Sequence, residues 1–151
     1  MQTRRETLKH CAIVAGLLAG AGSLSQSALA FNSDAFKAKS VADTMKALGV
    51  AMPVESKDVV IGGPDIAENG AVVPLTASTT LAGVKKILIL VEKNPSALVA
   101  LFNVTDSVDA NFATRSKMGQ SSDVYAVAIM NDGKALFAKK EVKVTLGGCG
   151  G

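Results

Sequence analysis

The chain has 151 residues and carries 16 Lys and Arg against 13 Asp and Glu, which gives a net charge of +3. From Phe31 onward, 12 Lys and one Arg stand against 12 Asp and Glu, so the net charge falls to +1. This balance excludes the strongly basic surface that nucleic-acid-binding proteins use to neutralise phosphates. The 121 residues from Phe31 to the end are enough for one domain with a single core.

The first 30 residues are typical of an export signal. A charged start that ends at Lys9 precedes a run of small apolar residues from 12 to 21, and residues 28–30 form an Ala-Leu-Ala cleavage pattern. The apolar run, about 10 residues, is too short to span a bilayer. Cys11 precedes this run, whereas a lipoprotein cysteine follows it, so we expect Cys11 to be discarded with the signal. The mature protein is predicted to begin near Phe31.

The paired arginines of this segment indicate the export route. Residues 3–9, Thr-Arg-Arg-Glu-Thr-Leu-Lys, resemble the twin-arginine signal, whose pattern is S/T-R-R-x-F-L-K. Thr7 departs from the pattern at its aromatic position, while Arg4, Arg5, Leu8 and Lys9 stay in register. Export by the twin-arginine pathway is therefore favoured over general secretory export.

A single amphipathic helix is predicted from Ser33 to Leu48. Its apolar residues recur at spacings of three, four and one, and charged residues lie between them. Asn32 or Ser33 can cap its start, and Gly49 stands where a left-handed residue commonly ends a helix. The apolar face either packs on the chain's own domain or contributes to a partner interface, and the pattern leaves both open.

From residue 58 the pattern changes to short stretches rich in Val, Ile, Leu and Thr. They are separated by predicted turns at residues 62–65, 68–70, 93–95, 117–119 and 131–133. The predicted strands span residues 58–62, 71–79, 84–91, 98–104, 110–116, 122–130 and 135–146. Seven short strands at this spacing favour an antiparallel β-sandwich. We therefore predict a mainly β domain over residues 31–146 that begins with the helix.

The last predicted strand is expected to be firmly anchored. From residue 141 onward polar and apolar residues alternate, which places Val142, Val144 and Leu146 on the core face. Asp132-Gly133 is a hairpin signal that joins this strand to the one before it. The segment that follows Leu146 should thus leave from a fixed strand.

The chain ends in Gly147-Gly148-Cys149-Gly150-Gly151, a single thiol between two pairs of glycines. Glycine visits backbone conformations that other residues avoid, so the four glycines make a flexible and very thin string. Five extended residues reach at most about 17 Å. We predict a flexible arm over 147–151, with Cys149 as the site of covalent attachment and the glycines supplying reach and the thinness to enter a narrow channel.

The residues predict neither an enzyme site nor a metal or cofactor site in the body. The one histidine, His10, lies in the export signal, so the mature chain lacks the usual base of a nucleophile–base pair. One Cys without His falls short of a zinc or iron–sulfur ligand set. An unperturbed thiol is only a few per cent ionised at pH 7, and nothing in the tail favours ionisation of Cys149. Its activation is therefore expected to come from another protein.

Several functions stay open on the residues alone. A covalent carrier is favoured, because Cys149 lies symmetrically between glycine pairs. An exported structural or adhesive sandwich could instead use Cys149 for an interchain disulfide, and a Gly-rich terminus can simply be disordered. A thiol enzyme that acts alone is disfavoured by the missing histidine.

The ending of the chain carries a specific resemblance. Residues 138–151, Ala-Lys-Lys-Glu-Val-Lys-Val-Thr-Leu-Gly-Gly-Cys-Gly-Gly, resemble the ending of the SoxY family, the sulfur-carrying subunits of the periplasmic Sox thiosulfate-oxidising system. Residues 66–75, Ile-Ala-Glu-Asn-Gly-Ala-Val-Val-Pro-Leu, are similar to an internal segment of that family. The resemblance covers essentially the whole chain. It implies an immunoglobulin-like sandwich in the periplasm that pairs with SoxZ and carries sulfur intermediates on Cys149.

The same resemblance implies the chemistry done by the partners. The haem protein SoxAX oxidatively couples thiosulfate to the thiol, which gives a cysteine S-thiosulfonate. SoxB then hydrolyses off sulfate, and the remaining sulfane sulfur is oxidised by SoxCD or passed elsewhere. SoxZ characteristically lacks a signal, so export of a folded pair would account for Arg4 and Arg5. The mature form is expected to contact neither nucleic acid nor membrane.

Overall fold

The computed structural model describes residues 32–145. Within them, two short helices, α1 (Ser33–Lys37) and α2 (Val41–Ala47), precede the strands. The strands are β1 (Val54–Glu55), β2 (Val59–Gly62), β3 (Ile66–Ala67), β4 (Val73–Thr79), β5 (Val84–Val91), β6 (Leu98–Asn103), β7 (Asn111–Ser116), β8 (Ser122–Met130) and β9 (Ala135–Val144). The predicted export signal over 1–30 and Leu146 lie outside the described residues. Neither described helix is long and apolar enough to cross a membrane.

The prediction of one helix over 33–48 is wrong, because the chain forms two helices there. Ala38 leaves α1 with an extended backbone, at a ψ of 137°. Ser40 then caps α2, since its hydroxyl accepts a hydrogen bond at 3.0 Å from the backbone N–H three residues later. The apolar periodicity continues through this break, so periodicity alone did not reveal it. Asn32 caps α1 and Gly49 has a φ of +68°, and both of these predictions are confirmed.

The strands form two sheets. The larger has the order β1-β9-β8-β5-β6, with β3 also paired to β9, and the smaller has the order β2-β4-β7. All seven predicted strands are present, and the β-sandwich is confirmed. The longer strands pair antiparallel, whereas β1 and β3 each pair parallel with β9. These two additional strands have two residues each, which is too few for a pattern of alternation.

The larger sheet is buried on both faces. Alternate residues of β5 point to opposite sides, with Ile87 and Ile89 in the core between the sheets, and Leu88 and Leu90 in a second core. This second core is completed by the helices, whose Met45 is fully buried against it. The apolar face of the predicted helix therefore packs on the chain's own domain.

A long hairpin positions the final strand. β8 and β9 pair antiparallel from Ser122↔Val142 to Ile129↔Ala135. Gly133 takes a φ of +86° in the turn between them, which confirms the hairpin predicted at Asp132-Gly133. β9 thereby carries the chain from the hairpin to the opposite end of the sandwich.

Candidate functional site: the root of the C-terminal arm

The predicted arm, residues 147–151 with Cys149 at its centre, lies outside the described residues. The structure describes the strand that leads to it, because β9 continues to within three residues of the first glycine of the arm. We define the arm root as residues 143–145 together with residues 65–68 and Ser121, which hydrogen-bond to them. The arm root fixes the point from which the arm begins.

One side of the arm root is held by β3 and the residues next to it. The N–H of Lys143 donates to the carbonyl of Asp65 at 3.0 Å, and the N–H of Thr145 donates to the carbonyl of Ala67 at 3.1 Å. The hydroxyl of Thr145 also reaches the carbonyl of Glu68 at 3.4 Å. These bonds extend the sheet to the last described residue.

The other side of the arm root is held by the β7–β8 turn. The N–H of Val144 points away from β3 and donates to Ser121 Oγ at 2.9 Å. The turn is itself anchored by Met118, whose side chain is 0% exposed in the core between the sheets. The N–H of Met118 donates to the carbonyl of Gly70 at 2.7 Å. The end of β9 is therefore clamped from both sides, which limits motion before the arm begins.

Lys140 of β9 connects β9 to the turn that precedes β3. Lys140 Nζ donates to the carbonyl of Gly63 at 2.6 Å and lies 2.9 Å from Asp65 Oδ1. The hydrogen bond and the charge of Lys140 lower the pKa of the exposed Asp65 carboxyl. The ion pair therefore exists above the pKa of Asp65 and is lost as the pH falls through it. Residues 63–65 form a turn between β2 and β3, as predicted for Gly62-Gly63-Pro64-Asp65.

The arm root positions the arm and offers little chemistry of its own. Ile66 is 57% exposed, so the arm root presents an apolar side chain beside the departing chain. Among residues 32–145, no group of three or more His, Cys, Asp or Glu could hold a metal ion. Every buried side-chain nitrogen or oxygen in the same range has a hydrogen-bond partner. Cys149 stays the predicted reactive residue and lies outside the described residues.

Two residues of this arrangement were missed by sequence reasoning. Residues 117–119 were predicted as a turn, but Met118 is a core residue that fixes the turn in place. Ser121 caps the end of β9 across 23 residues of sequence. The available signal was an isolated Met among polar turn residues, since a large apolar side chain in a turn is commonly buried.

Comparison with known proteins identifies the family. The family model described as "Sulfur oxidation protein SoxY" matches residues 44–149, which include Cys149. The chain belongs to the SoxY family. The predicted resemblance to SoxY is thereby confirmed, and sulfur oxidation is the process in which the family acts.

Solved structures agree with the membership in the SoxY family. The chain is similar to the sulfur carrier protein SoxY from Chlorobium limicola f thiosulfatophilum, with 34% identity over 70% of this chain and 96% of that one, and a TM-score of 0.61. This likeness confirms the immunoglobulin-like fold. A superoxide reductase (neelaredoxin) from Ignicoccus hospitalis is 18% identical over 57% of this chain and 79% of that one, with a TM-score of 0.51, and shares the fold alone. The search of curated proteins returned no match.

Proposed function

We propose that this SoxY-family protein is a non-catalytic carrier in thiosulfate oxidation, which holds sulfur intermediates covalently on Cys149 and presents them to partner enzymes. The observation that carries the proposal is the family match that runs through Cys149. It is supported by the arm root, where the chain stays hydrogen-bonded to Thr145. A short arm on a fixed base samples a small volume, with a radius of at most about 17 Å, and so offers its sulfur to a docked enzyme at high effective concentration.

The proposed chemistry uses the sulfur of Cys149 and leaves catalysis to the partners. In loading, the thiol loses its proton and its sulfur bonds to the outer sulfur of thiosulfate, while two electrons pass to the haem protein SoxAX. Hydrolysis by SoxB then adds water across the bond between the sulfane sulfur and the sulfonate, which releases sulfate. A persulfide is left on Cys149, and its outer sulfur is oxidised by SoxCD or passed elsewhere.

The same proposal includes a location and a stable partner. Arg4 and Arg5 favour twin-arginine export, a route for folded proteins, and the carrier would then act in the periplasm as a pair with SoxZ. The pair would meet SoxAX and SoxB only transiently, because each enzyme must release the arm for the next.

Intact-mass spectrometry of the protein purified from its own cells tests the proposal. We expect a mature chain that begins near Phe31 and carries added sulfur or thiosulfonate mass on Cys149, which a reductant removes. A covalent dimer free of such adducts would instead support the interchain-disulfide alternative and would contradict the carrier proposal.

Gly148→Val should slow delivery of sulfur to partner enzymes more than it lowers stability. Valine adds a branched side chain to the predicted arm, whose entry into a narrow channel would depend on thinness. Residue 148 follows Thr145, the last residue with a described hydrogen bond in the arm root, by three positions in the sequence. The measurement is turnover of loaded protein by SoxB, alongside thermal unfolding. Gly119→Val is a matched control, because a Cβ at Gly119 would meet no atom within 4 Å apart from those of its two chain neighbours. Equal turnover by the Gly148→Val variant and the wild type would contradict the channel-threading argument.

A further inference from the structure

The exposed surfaces of the two sheets differ in charge. On β9, the residues that continue the helix-side surface beyond Phe137 are Lys139, Glu141 and Lys143, and all three are exposed. Asp123 of β8 pairs with Glu141 in the register and adds a fourth charge to the same surface. Charged side chains are usual on the side of an antiparallel sheet that faces water. The outer surface of the smaller sheet lacks this pattern.

The register of the smaller sheet identifies its outward-facing residues. Val73, Leu75 and Ala77 of β4 are buried in the core between the sheets, so the residues that alternate with them point outward. The β4–β7 pairs on this outward side are Pro74↔Arg115, Thr76↔Ala113 and Ser78↔Asn111. We define the outer face of the smaller sheet by these six residues. Five of the six are uncharged, and the sixth is an arginine.

Arg115 is the one arginine of the chain from residue 31 onward, where it stands beside 12 Lys. It is exposed, and the ion pairs within residues 32–145 are all formed by lysines. Protein interfaces are depleted in Lys, Asp and Glu and enriched in Arg. A guanidinium group can also bind a carboxylate through two parallel hydrogen bonds. An uncharged face with one arginine is therefore complementary to a protein surface that presents a carboxylate.

The size of this face suits a transient partner. β4 runs for four residue steps from Pro74 to Ser78 between β2 and β7, so the face measures roughly 10 Å by 14 Å between its outermost Cα atoms. Val60 of β2, which is 53% exposed, extends the uncharged surface to one side. Each partner in a stable complex usually buries about 800 Å². A footprint well below this area fits a protein that binds weakly and leaves again.

Arg115 lies at the end of the face that is nearest the arm root. It precedes the β7–β8 turn, in which Ser121 Oγ accepts a hydrogen bond from the N–H of Val144. Six residue steps join Arg115 to Ser121, so their Cα atoms are at most about 20 Å apart. Val72, which is 55% exposed and two residues before Pro74, continues the uncharged surface toward the same turn. A protein seated on the face would therefore have the arm root beside it.

We propose that the outer face of the smaller sheet is the docking site of an enzyme that acts on the arm, the hydrolase SoxB, and that a carboxylate of SoxB binds Arg115. The inference rests on the proposed function, because it requires an enzyme that comes to a loaded arm. Docking on this face holds the enzyme next to the arm root while the arm delivers its sulfur. The small contact then lets the enzyme leave after hydrolysis.

Steady-state hydrolysis by SoxB of the loaded protein, paired with SoxZ, tests the docking site. Tetrathionate loads the thiol without SoxAX, because the thiolate of Cys149 displaces thiosulfate and keeps an S-thiosulfonate group. Arg115→Glu should raise the KM about tenfold or more, because it places a carboxylate against the carboxylate of SoxB. The kcat should stay within about twofold, because the arm is unchanged. Ala113→Glu should have the same effect from the centre of the face, and circular dichroism checks that both variants fold.

Lys57→Glu is the matched control for Arg115→Glu. It makes the same change of charge at an exposed residue two positions before Val59, which lies at the opposite end of the smaller sheet. Its KM should equal that of the wild type. A wild-type KM in both face variants would overturn the docking site and leave the carrier proposal standing. Loss of SoxZ from the Arg115→Glu variant would assign the face to the stable partner and would also overturn the inference. Loaded wild type that SoxB fails to hydrolyse would contradict the proposed function itself.

Discussion

Replacing Cys149 with Ser should abolish sulfur carriage and leave the fold unchanged. A serine oxygen does not form the sulfur–sulfur bond on which a thiosulfonate or a persulfide depends, so no intermediate can be loaded. The body should be unaffected, because residue 149 lies beyond Thr145, the last residue described in the sheet's hydrogen-bonding pattern. Intact mass after incubation with thiosulfate and the partner enzymes should show added sulfur on the wild type and none on the variant.

Thr145→Ser provides the control for this experiment. It changes a residue four positions from Cys149 but keeps both the thiol and a hydroxyl that can reach the carbonyl of Glu68. This control should load sulfur as the wild type does, and the unfolding curves of all three proteins should coincide. Added sulfur mass on the Cys149→Ser variant would mean that attachment occurs elsewhere and would refute Cys149 as the carrier residue.

The parts of the fold that could be predicted are those encoded in local runs of residues. β5 and β8 have the predicted bounds, 84–91 and 122–130, because each is a long apolar run limited by turn residues. β9 followed from the strict alternation that leads to its buried Val142. In these segments, burial and local pattern favour the same structure, so sequence reasoning succeeds.

The parts that could not be predicted depend on distant partners. β1 and β3 exist because β9 offers them its edge, and two residues carry no period of their own. The division between α1 and α2 depends on the Ser40 cap and on Ala38, whose carbonyl accepts a hydrogen bond from Ala97 N–H at 2.9 Å. Ala38 and Ala97 are 59 residues apart in the sequence, so a local sequence pattern cannot predict their hydrogen bond.

The candidate site also has a part that the sequence reveals and a part that depends on distant contacts. Its motif could be recognised from the sequence, because a thiol between glycine pairs is a local pattern with a resemblance to SoxY, and the role of Cys149 stays a prediction. Its support could not be predicted, because Lys140 bonds to Gly63 across 77 residues and Ser121 reaches Val144 across 23. These contacts depend on how the sheets are assembled.

Met118→Ala should lower the free energy of unfolding by about 2–4 kcal/mol, since it removes a fully buried side chain from the core between the sheets. The loss should also loosen the β7–β8 turn, because Met118 is its anchor and Ser121 lies three residues later. The N–H of Val144, which donates to Ser121 Oγ at 2.9 Å, should then exchange with solvent faster. Urea denaturation measures the first effect and amide hydrogen exchange the second.

Met52→Ala is the matched control, since the same side chain is removed from a position that is 62% exposed. Its effect on the free energy of unfolding should stay within about 0.5 kcal/mol, and exchange at Val144 should not change. Met118→Ala could lower the free energy of unfolding and yet leave the exchange rate of the Val144 N–H no faster than global unfolding explains. In that case the β7–β8 turn would not hold the arm root in place. The bonds from Lys143 and Thr145 to residues 65 and 67 would then suffice to hold the end of β9.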